Sequence, residues 1–516
     1  MFIVKPLGLV LSGALLLSGC TAVEQVTTTA STKAEVPVTS PPVEEKSCDT
    51  AEIDPLVSIG DRDWGSYSVT CETDATTPTT ALSALDIGTN LEPCKLIETS
   101  AQRKRYNDNT SAFPRASDPS KSKLEDGNHR VMVIALDWPD LKDRFDPVEL
   151  LQHHADQFAE WYAVYSRGKV ALDVVVHPEK ITLEKESAKF SQSESEQTDN
   201  QWGSDNVRKV QFFWKEALAA ADPFVDFTDV EMVMFVLPRT QTVIDEFNLW
   251  PPGTGQFKTD EAIIDRGFTA GTFHFQGGNK LYSFWVHETL HYFKVPDLYW
   301  VDQGGTEKET FSEYTVPAPI YSYDVMSSAN SMRSLNNWIL WLLDWAEDEE
   351  FRCLDANSEA SSFEIASNHL SDDRVKAVML RVSESDLIVI ESRRETKFDE
   401  PIQRSRNGVL IYHVDATLGH GEGALTLLAP KGRTLINVVY QGGQNETILD
   451  AMFYEGNTIE VAGHRITVNE ALETSDIVSI SKVEDWVSGE PANYVCITLE
   501  NRVRPDEGEL GCSIVF

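Results

Sequence analysis

Leu281-Tyr282-Ser283-Phe284-Trp285-Val286-His287-Glu288-Thr289-Leu290-His291-Tyr292-Phe293 runs without glycine or proline, and its reading decides the rest of the chain. Read as a helix, it places His287 and His291 one turn apart on the same face, where both imidazoles reach a single ion. Zinc suits two neutral imidazoles and an oxygen ligand, with a fourth position left open for water. Glu288 is offset from His287 by about 100° around the helix, beside the ligands, so its carboxylate is placed to take a proton from that water.

Outward from this helix the chain supplies company for it. Pro296 follows soon after His291 and ends the helix, and Asp297 stands where a reversed chain brings its carboxylate back to the metal. Tyr323-Asp324-Val325-Met326-Ser327-Ser328 then sets a methionine in a polar turn that floors such a site. Two alternatives stay open. The third ligand is Asp297 or a downstream glutamate, Glu309 or Glu313, and Met326 is either the floor of the site or an ordinary core residue.

Together these residues resemble the pattern His-Glu-x-x-His-x-x-Gly-x-x-(His/Asp) followed by a Met-turn, the arrangement of metzincins. More closely, Val295-Pro296-Asp297-Leu298-Tyr299 after the motif is similar to the immune inhibitor A family of secreted metallopeptidases, the M6 family. Further blocks share the likeness: Val133 to Asp140 as the first strand, Trp161-Tyr162 through Leu172 as a helix and second strand, and Trp338 to Trp345 as the helix after the Met-turn. Ile390-Glu391-Ser392-Arg393 and Gly408 to Asp415 resemble the family's β-domain signature, so the likeness spans about residues 130 to 420. It implies a zinc metallopeptidase with His287, His291 and Asp297 as ligands, Glu288 as general base and Met326 in the Met-turn. Tyr321 or Tyr323, near that turn, is the expected oxyanion stabiliser. The chain departs from the family at Lys294, where a glycine is usual, and at Thr289-Leu290, which replace an aromatic-glycine pair. A left-handed backbone at Lys294 would cost roughly 1–2 kcal/mol.

The N-terminus adds an address. Lys5 precedes the apolar stretch Pro6 to Gly19, long enough for a secretory core and too short for a spanning helix of about 20 residues. Leu17-Ser18-Gly19-Cys20 resembles the bacterial lipobox, which implies export and lipid attachment at Cys20; Thr21 in the following place favours the outer membrane. Six further cysteines, Cys48, Cys71, Cys94, Cys353, Cys496 and Cys512, are compatible with disulfides in an oxidising compartment. Three lie toward each end of the chain, so if all are paired at least one bridge joins the two ends. Cys94 has the second reading of a zinc-masking thiol. The chain carries 82 acidic against 44 basic residues, a formal charge of −38 that repels phosphate backbones and argues against nucleic acid as a partner. The acidic run Asp344 to Glu350 reads as a solvated face, with a calcium site as its alternative, and His413 reads as a packing or hydrogen-bonding residue of the β-rich part rather than a ligand.

The organisation expected is a signal peptide over 1–20, a disordered tether over 21–47, and a small cysteine-containing region with a linker over 48–128. A zinc peptidase domain over 129–350 and a β-rich domain over 351–516 follow. Strands at Arg130 to Asp140, Lys169 to Val176 and Glu231 to Leu237, with a helix at Pro147 to Tyr165, make the first an α/β (α+β) metzincin-like domain. Short β-branched runs such as Asp386 to Glu391 and Gly408 to Asp415 make the second mainly β. The functional expectation is an endopeptidase acting on extracellular or periplasmic proteins and peptides, held to the membrane only by its N-terminal lipid and open to release by cleavage between residues 21 and about 128. The rival expectation is a non-catalytic surface lipoprotein whose decayed peptidase fold binds protein or glycan.

Overall fold

The computed structural model describes residues 87–96, 126–190, 204–238, 241, 257–270, 281–293, 295–299, 320, 323–327, 334–355, 358–399, 407–418, 423–430, 435–439, 445–484 and 494–496. The expected signal peptide, Cys20 and the tether lie outside these residues, as do Lys294, Glu309, Glu313 and Tyr321. Among the described residues no helix is long and apolar enough to cross a membrane.

The first part of the described chain is built on parallel strands. Its elements are β1 (Gly127–Asp137), α1 (Pro147–Tyr165), β2 (Val170–Val176), β3 (Ile181–Thr182), α2 (Ser204–Ala221), β4 (Val230–Val236), the hairpin of β5 (Phe257–Lys258) and β6 (Ile263–Ile264), β7 (Gly267–Ala270) and α3 (Leu281–Leu290). The sheet order is β2-β1-β4-β7, parallel throughout, with β3 continuing the pairing at the end of β1. The apolar run in β1 follows from burial on both faces. Val131, Val133 and Ala135 enter the core that holds α1 and α3, while Met132, Ile134 and Leu136 enter a second core with Phe213 and Trp214 of α2.

α1 starts where the sequence places it, with Pro147 in its first turn and the Asp146 carboxylate accepting from the Glu149 amide at 3.0 Å. Its aromatic face fixes α3. Phe158 meets Trp285 edge-on at 5.9 Å, Tyr162 stacks on Phe293 at 5.9 Å, and Trp345 closes against Phe293 at 5.2 Å. The far end of the motif segment is tied to the sheet through the Tyr292 hydroxyl, which donates to the Gly267 carbonyl and accepts from its amide, both at 2.8 Å. Glycine is required there, because a Cβ on Gly267 would lie 2.2 Å from the Val233 carbonyl oxygen and 2.4 Å from the Trp214 ring.

After α4 (Asn337–Leu342), every described element from Phe351 onward is a strand: β8 (Phe351–Leu354), β9 (Ser361–Ala366), β10 (Ala377–Arg381), β11 (Asp386–Arg393), β12 (Gly408–Asp415), β13 (Leu425–Pro430), β14 (Leu435–Val439), β15 (Asn445–Leu449), β16 (Thr458–Val461), β17 (His464–Ala471), β18 (Ser475–Lys482) and β19 (Tyr494–Cys496). A six-stranded sheet of order β19-β13-β12-β11-β10-β8 packs on a four-stranded sheet of order β16-β17-β18-β9. Strand alternation divides the larger sheet between two cores. Ile388, Ile390, Val409 and Ile411 face the smaller sheet, whereas Leu387, Val389, Leu410 and Tyr412 belong to the core that contains α3 and α4. The chain is therefore a mixed α/β protein of several sheets and few helices, in which the motif helix shares its core with a β-sheet far along the sequence.

Cys94 and Cys353 form a disulfide across a sequence separation of 259, joining segment 87–96 to β8. The Cys353 amide donates to the Gly88 carbonyl at 2.7 Å, and Leu91 is buried in the α3 core. This bridge joins the two ends of the cysteine series and leaves Cys94 no free thiol. Cys48, Cys71 and Cys512 lie outside the described residues. A Cys353→Ser variant should lose about 2–4 kcal/mol of stability, read as a lower urea midpoint under non-reducing conditions. A midpoint equal to wild type would show that the bridge adds nothing to the fold.

Candidate metal centre

The donors converge because α3 is buried on nearly all sides and cannot rotate. Leu281, Trp285, Val286 and Leu290 fill the core around it, leaving His287 and Glu288 at 6% and 7% exposure and Asp297 at 7%. The helix ends at Leu290, passes through one tight turn over His291–Phe293, and is closed by the Val295 amide donating to the Leu290 carbonyl at 3.2 Å. Pro296 forbids its continuation. The chain then doubles back, so that Asp297 Oδ1 lies 3.0 Å from His287 Nε2 and 3.3 Å from His291 Nε2. The two imidazole planes are nearly perpendicular, with centroids 5.0 Å apart.

Each imidazole is oriented by a backbone carbonyl. His287 Nδ1 donates to Val325 O at 2.9 Å and His291 Nδ1 donates to Val295 O at 2.8 Å. Such bonds fix the tautomer and leave both Nε2 atoms as donors toward a common point. The ligand atoms of His287, His291 and Asp297 all lie within 4.8 Å of one another, the one group among the described residues placed to hold a metal ion. Nitrogen and oxygen ligands at about 2.1 Å in a tetrahedral shell stand roughly 3.4 Å apart, close to the spacings seen. Two neutral imidazoles and a carboxylate, buried together, therefore fit a divalent cation.

The turn after Ile320 supplies the Val325 carbonyl and is held from below. Asp324 accepts from the Met326 amide at 2.8 Å and from the amide and side chain of Asn336, each at 2.7 Å. The Leu298 amide donates to the Met326 carbonyl at 3.0 Å, so the segment carrying Asp297 is hydrogen-bonded to the segment carrying Met326. Met326 itself is fully buried.

In the ion-free site the three groups pair with one another. Burial pulls both imidazoles down, but the Asp297 carboxylate overrides it, raising His287 and taking His291 up to about 9. Burial pushes Asp297 up, yet the two imidazoles hold its carboxyl well below the usual range. Glu288 is raised, chiefly by burial, with the imidazoles only partly opposing the shift.

The other residues named from the sequence have partners of their own. Tyr323 is buried and its hydroxyl accepts from the Ala451 amide at 3.1 Å, in the β-rich part. His413 pairs with Asp386 at 2.9 Å across β11 and β12. The acidic run is not simply a solvated face: Glu350 is buried and paired with Arg167, Asp348 accepts from the Trp341 indole at 2.7 Å, and Lys169 meets Glu347 at 2.7 Å. Sequence reasoning assigned no role to Tyr299, whose ring stacks on His287 at 6.2 Å, nor to Asp324 and Asn336. Tyr299 and Asp324 at least stood in segments already quoted, whereas nothing in the sequence signalled Asn336. No protein-family model matches the chain, and no curated protein matches it.

The pH dependence of the ion-free protein follows from these shifts. His291 has an ordinary value of 6.5 and a folded value of about 9, so its stabilisation is present below 6.5 and is lost as pH rises through 9. Asp297 behaves oppositely, its contribution being present above its ordinary value of 3.8 and lost as pH falls below that range. Chelator-treated protein should thus show a falling urea midpoint from pH 6.5 to 9, a slope that Asp297→Asn removes; a flat wild-type profile would contradict the pairing.

Proposed function

We propose that this chain is a zinc-dependent endopeptidase of metzincin type, exported and anchored through Cys20, acting on protein or peptide substrates. The observation that carries the reading is the buried convergence of His287, His291 and Asp297, with each imidazole presenting Nε2 and with Glu288 next to the first ligand. His287 Nε2, His291 Nε2 and the Asp297 carboxylate would hold the ion. Zn²⁺ bound there supplies a Lewis acid for the scissile carbonyl and lowers the pKa of water toward about 7.

The remaining chemistry belongs to the chain's own residues. Glu288 lies on α3 one residue from a ligand, so its position relative to the donors is set by the helix rather than by a loop. Burial raises its carboxyl toward the range useful to a general base near neutral pH, where it takes a proton from water and returns it to the departing amine. Val325 and Val295 keep the imidazoles from rotating, and Met326 is fully buried in the core that also holds α3.

Metal content and hydrolysis of casein or a peptide library test the proposal together. Glu288→Gln should retain about one zinc per chain and lose 10²–10⁴-fold in kcat/KM, the usual weight of a general base. His287→Ala should lose both metal and activity. Stoichiometric zinc with no hydrolysis in wild type would favour the non-catalytic lipoprotein, and a chain that takes up no zinc would reject both the cofactor and the enzyme.

A further inference from the structure

The larger β-sheet reaches the metal centre through an unbroken set of buried polar contacts. Glu391 and Arg393 are neighbours on one face of β11, both fully buried, with Arg393 Nε donating to Glu391 Oε1 at 2.6 Å. Glu391 Oε2 accepts from the Asn337 amide at 2.8 Å and from the Tyr412 hydroxyl at 3.1 Å. Arg393 donates to the Ser334 hydroxyl, and the Ser334 amide is fixed by Asp399 at 3.1 Å. Segment 334–337 is thus gripped by the sheet at both ends. The same segment grips the turn above it. Ser334 O accepts from the Val325 amide at 3.0 Å, and Asn336 supplies two hydrogen bonds to Asp324. The Val325 carbonyl then orients His287.

A buried ion pair is a poor source of stability, because desolvation of both charges offsets their attraction. Here each charge is directed at a backbone or hydroxyl group of the segment that locks the turn whose Val325 carbonyl orients His287. We propose that Glu391 and Arg393 are positioning residues for the metal centre, setting the His287 imidazole through segment 334–337, Asp324 and the Val325 carbonyl. This rests on the metal reading of His287, His291 and Asp297. In this view the β-rich part completes the site rather than following it as an appendage.

Cobalt(II), added alone to chelator-treated full-length protein, gives a direct readout through its visible absorption, and competition with a chelator gives affinity. Glu391→Gln keeps the shape but puts an amide where two N–H donors and a hydroxyl are aimed. It should alter the cobalt band and weaken zinc binding by roughly tenfold, the lower end of the effect of outer-shell partners. Tyr412→Phe, which removes one hydroxyl and leaves the ion pair, should shift both in the same direction by less. Ile480→Val in the smaller sheet serves as a control for lost stability and should leave the band unchanged.

A folded Glu391→Gln with wild-type cobalt spectrum and affinity overturns the proposal while leaving the metal centre standing. Should that variant fail to fold, Tyr412→Phe decides, and an unchanged spectrum there overturns it equally. A wild type that binds neither cobalt nor zinc removes the metal reading and this inference with it.

Discussion

A buried imidazole must place both ring nitrogens, and in this protein that requirement connects three separate stretches of chain. His287 and His291 each spend Nδ1 on a main-chain carbonyl, one from Val325 and one from Val295. The two Nε2 atoms are then left facing Asp297. Had either ring instead used Nε2 on the protein, the donors would not converge. The position of the turn at Val325 is therefore as much a condition of the site as the spacing of the histidines.

That condition explains why the core is arranged as it is. The turn is held by Asp324, whose carboxyl burial pushes up to about 6 although three N–H groups point at it. Holding such a group in place takes rigid surroundings, and α4 supplies them: Asn336 caps the helix by accepting from the Ile339 amide at 2.9 Å while its amide group faces Asp324. α4 in turn lies on the face of the larger sheet that carries Leu387, Val389 and Tyr412. The six-stranded sheet is buried on both faces for this reason, one face serving its own sandwich and the other the site.

Local elements were legible because they rest on local physics. The helix α1 runs Pro147–Tyr165 as the sequence predicts, and β12 likewise spans Gly408–Asp415. The spacing of His287 and His291 places the two imidazoles on one helix face without any knowledge of tertiary structure. What was not legible depends on partners distant in sequence. Nothing in the sequence ties Val325 to His287, or Glu391 to Asn337, and a mid-strand glutamate flanked by Ile390 and Ser392 gives no sign that it will be buried against an arginine two residues on. The Cys94–Cys353 bridge was constrained by counting to the level of one end joined to the other, and no further.

The two residues inside the motif, Thr289 and Leu290, take on a physical meaning once the helix is seen in place. Thr289 lies two residues past His287, about 200° around the helix and so away from that imidazole, whereas Leu290, three residues on, lies about 60° from it. Thr289 Oγ1 is 4.0 Å from Met232 Sδ of β4, and Leu290 is fully buried in the aromatic core. Thr289 thus faces the parallel sheet, while Leu290 packs in the core that also holds α1. A leucine and a threonine fill space that an aromatic-glycine pair would divide differently, so the substitution concerns the seating of the helix and not its donor set. The seating is then secured by contacts independent of those two residues, with Tyr292 on Gly267 at one end and Trp285 among the α1 aromatics at the other. A change at 289 or 290 that preserved volume would leave His287 where the Val325 carbonyl holds it.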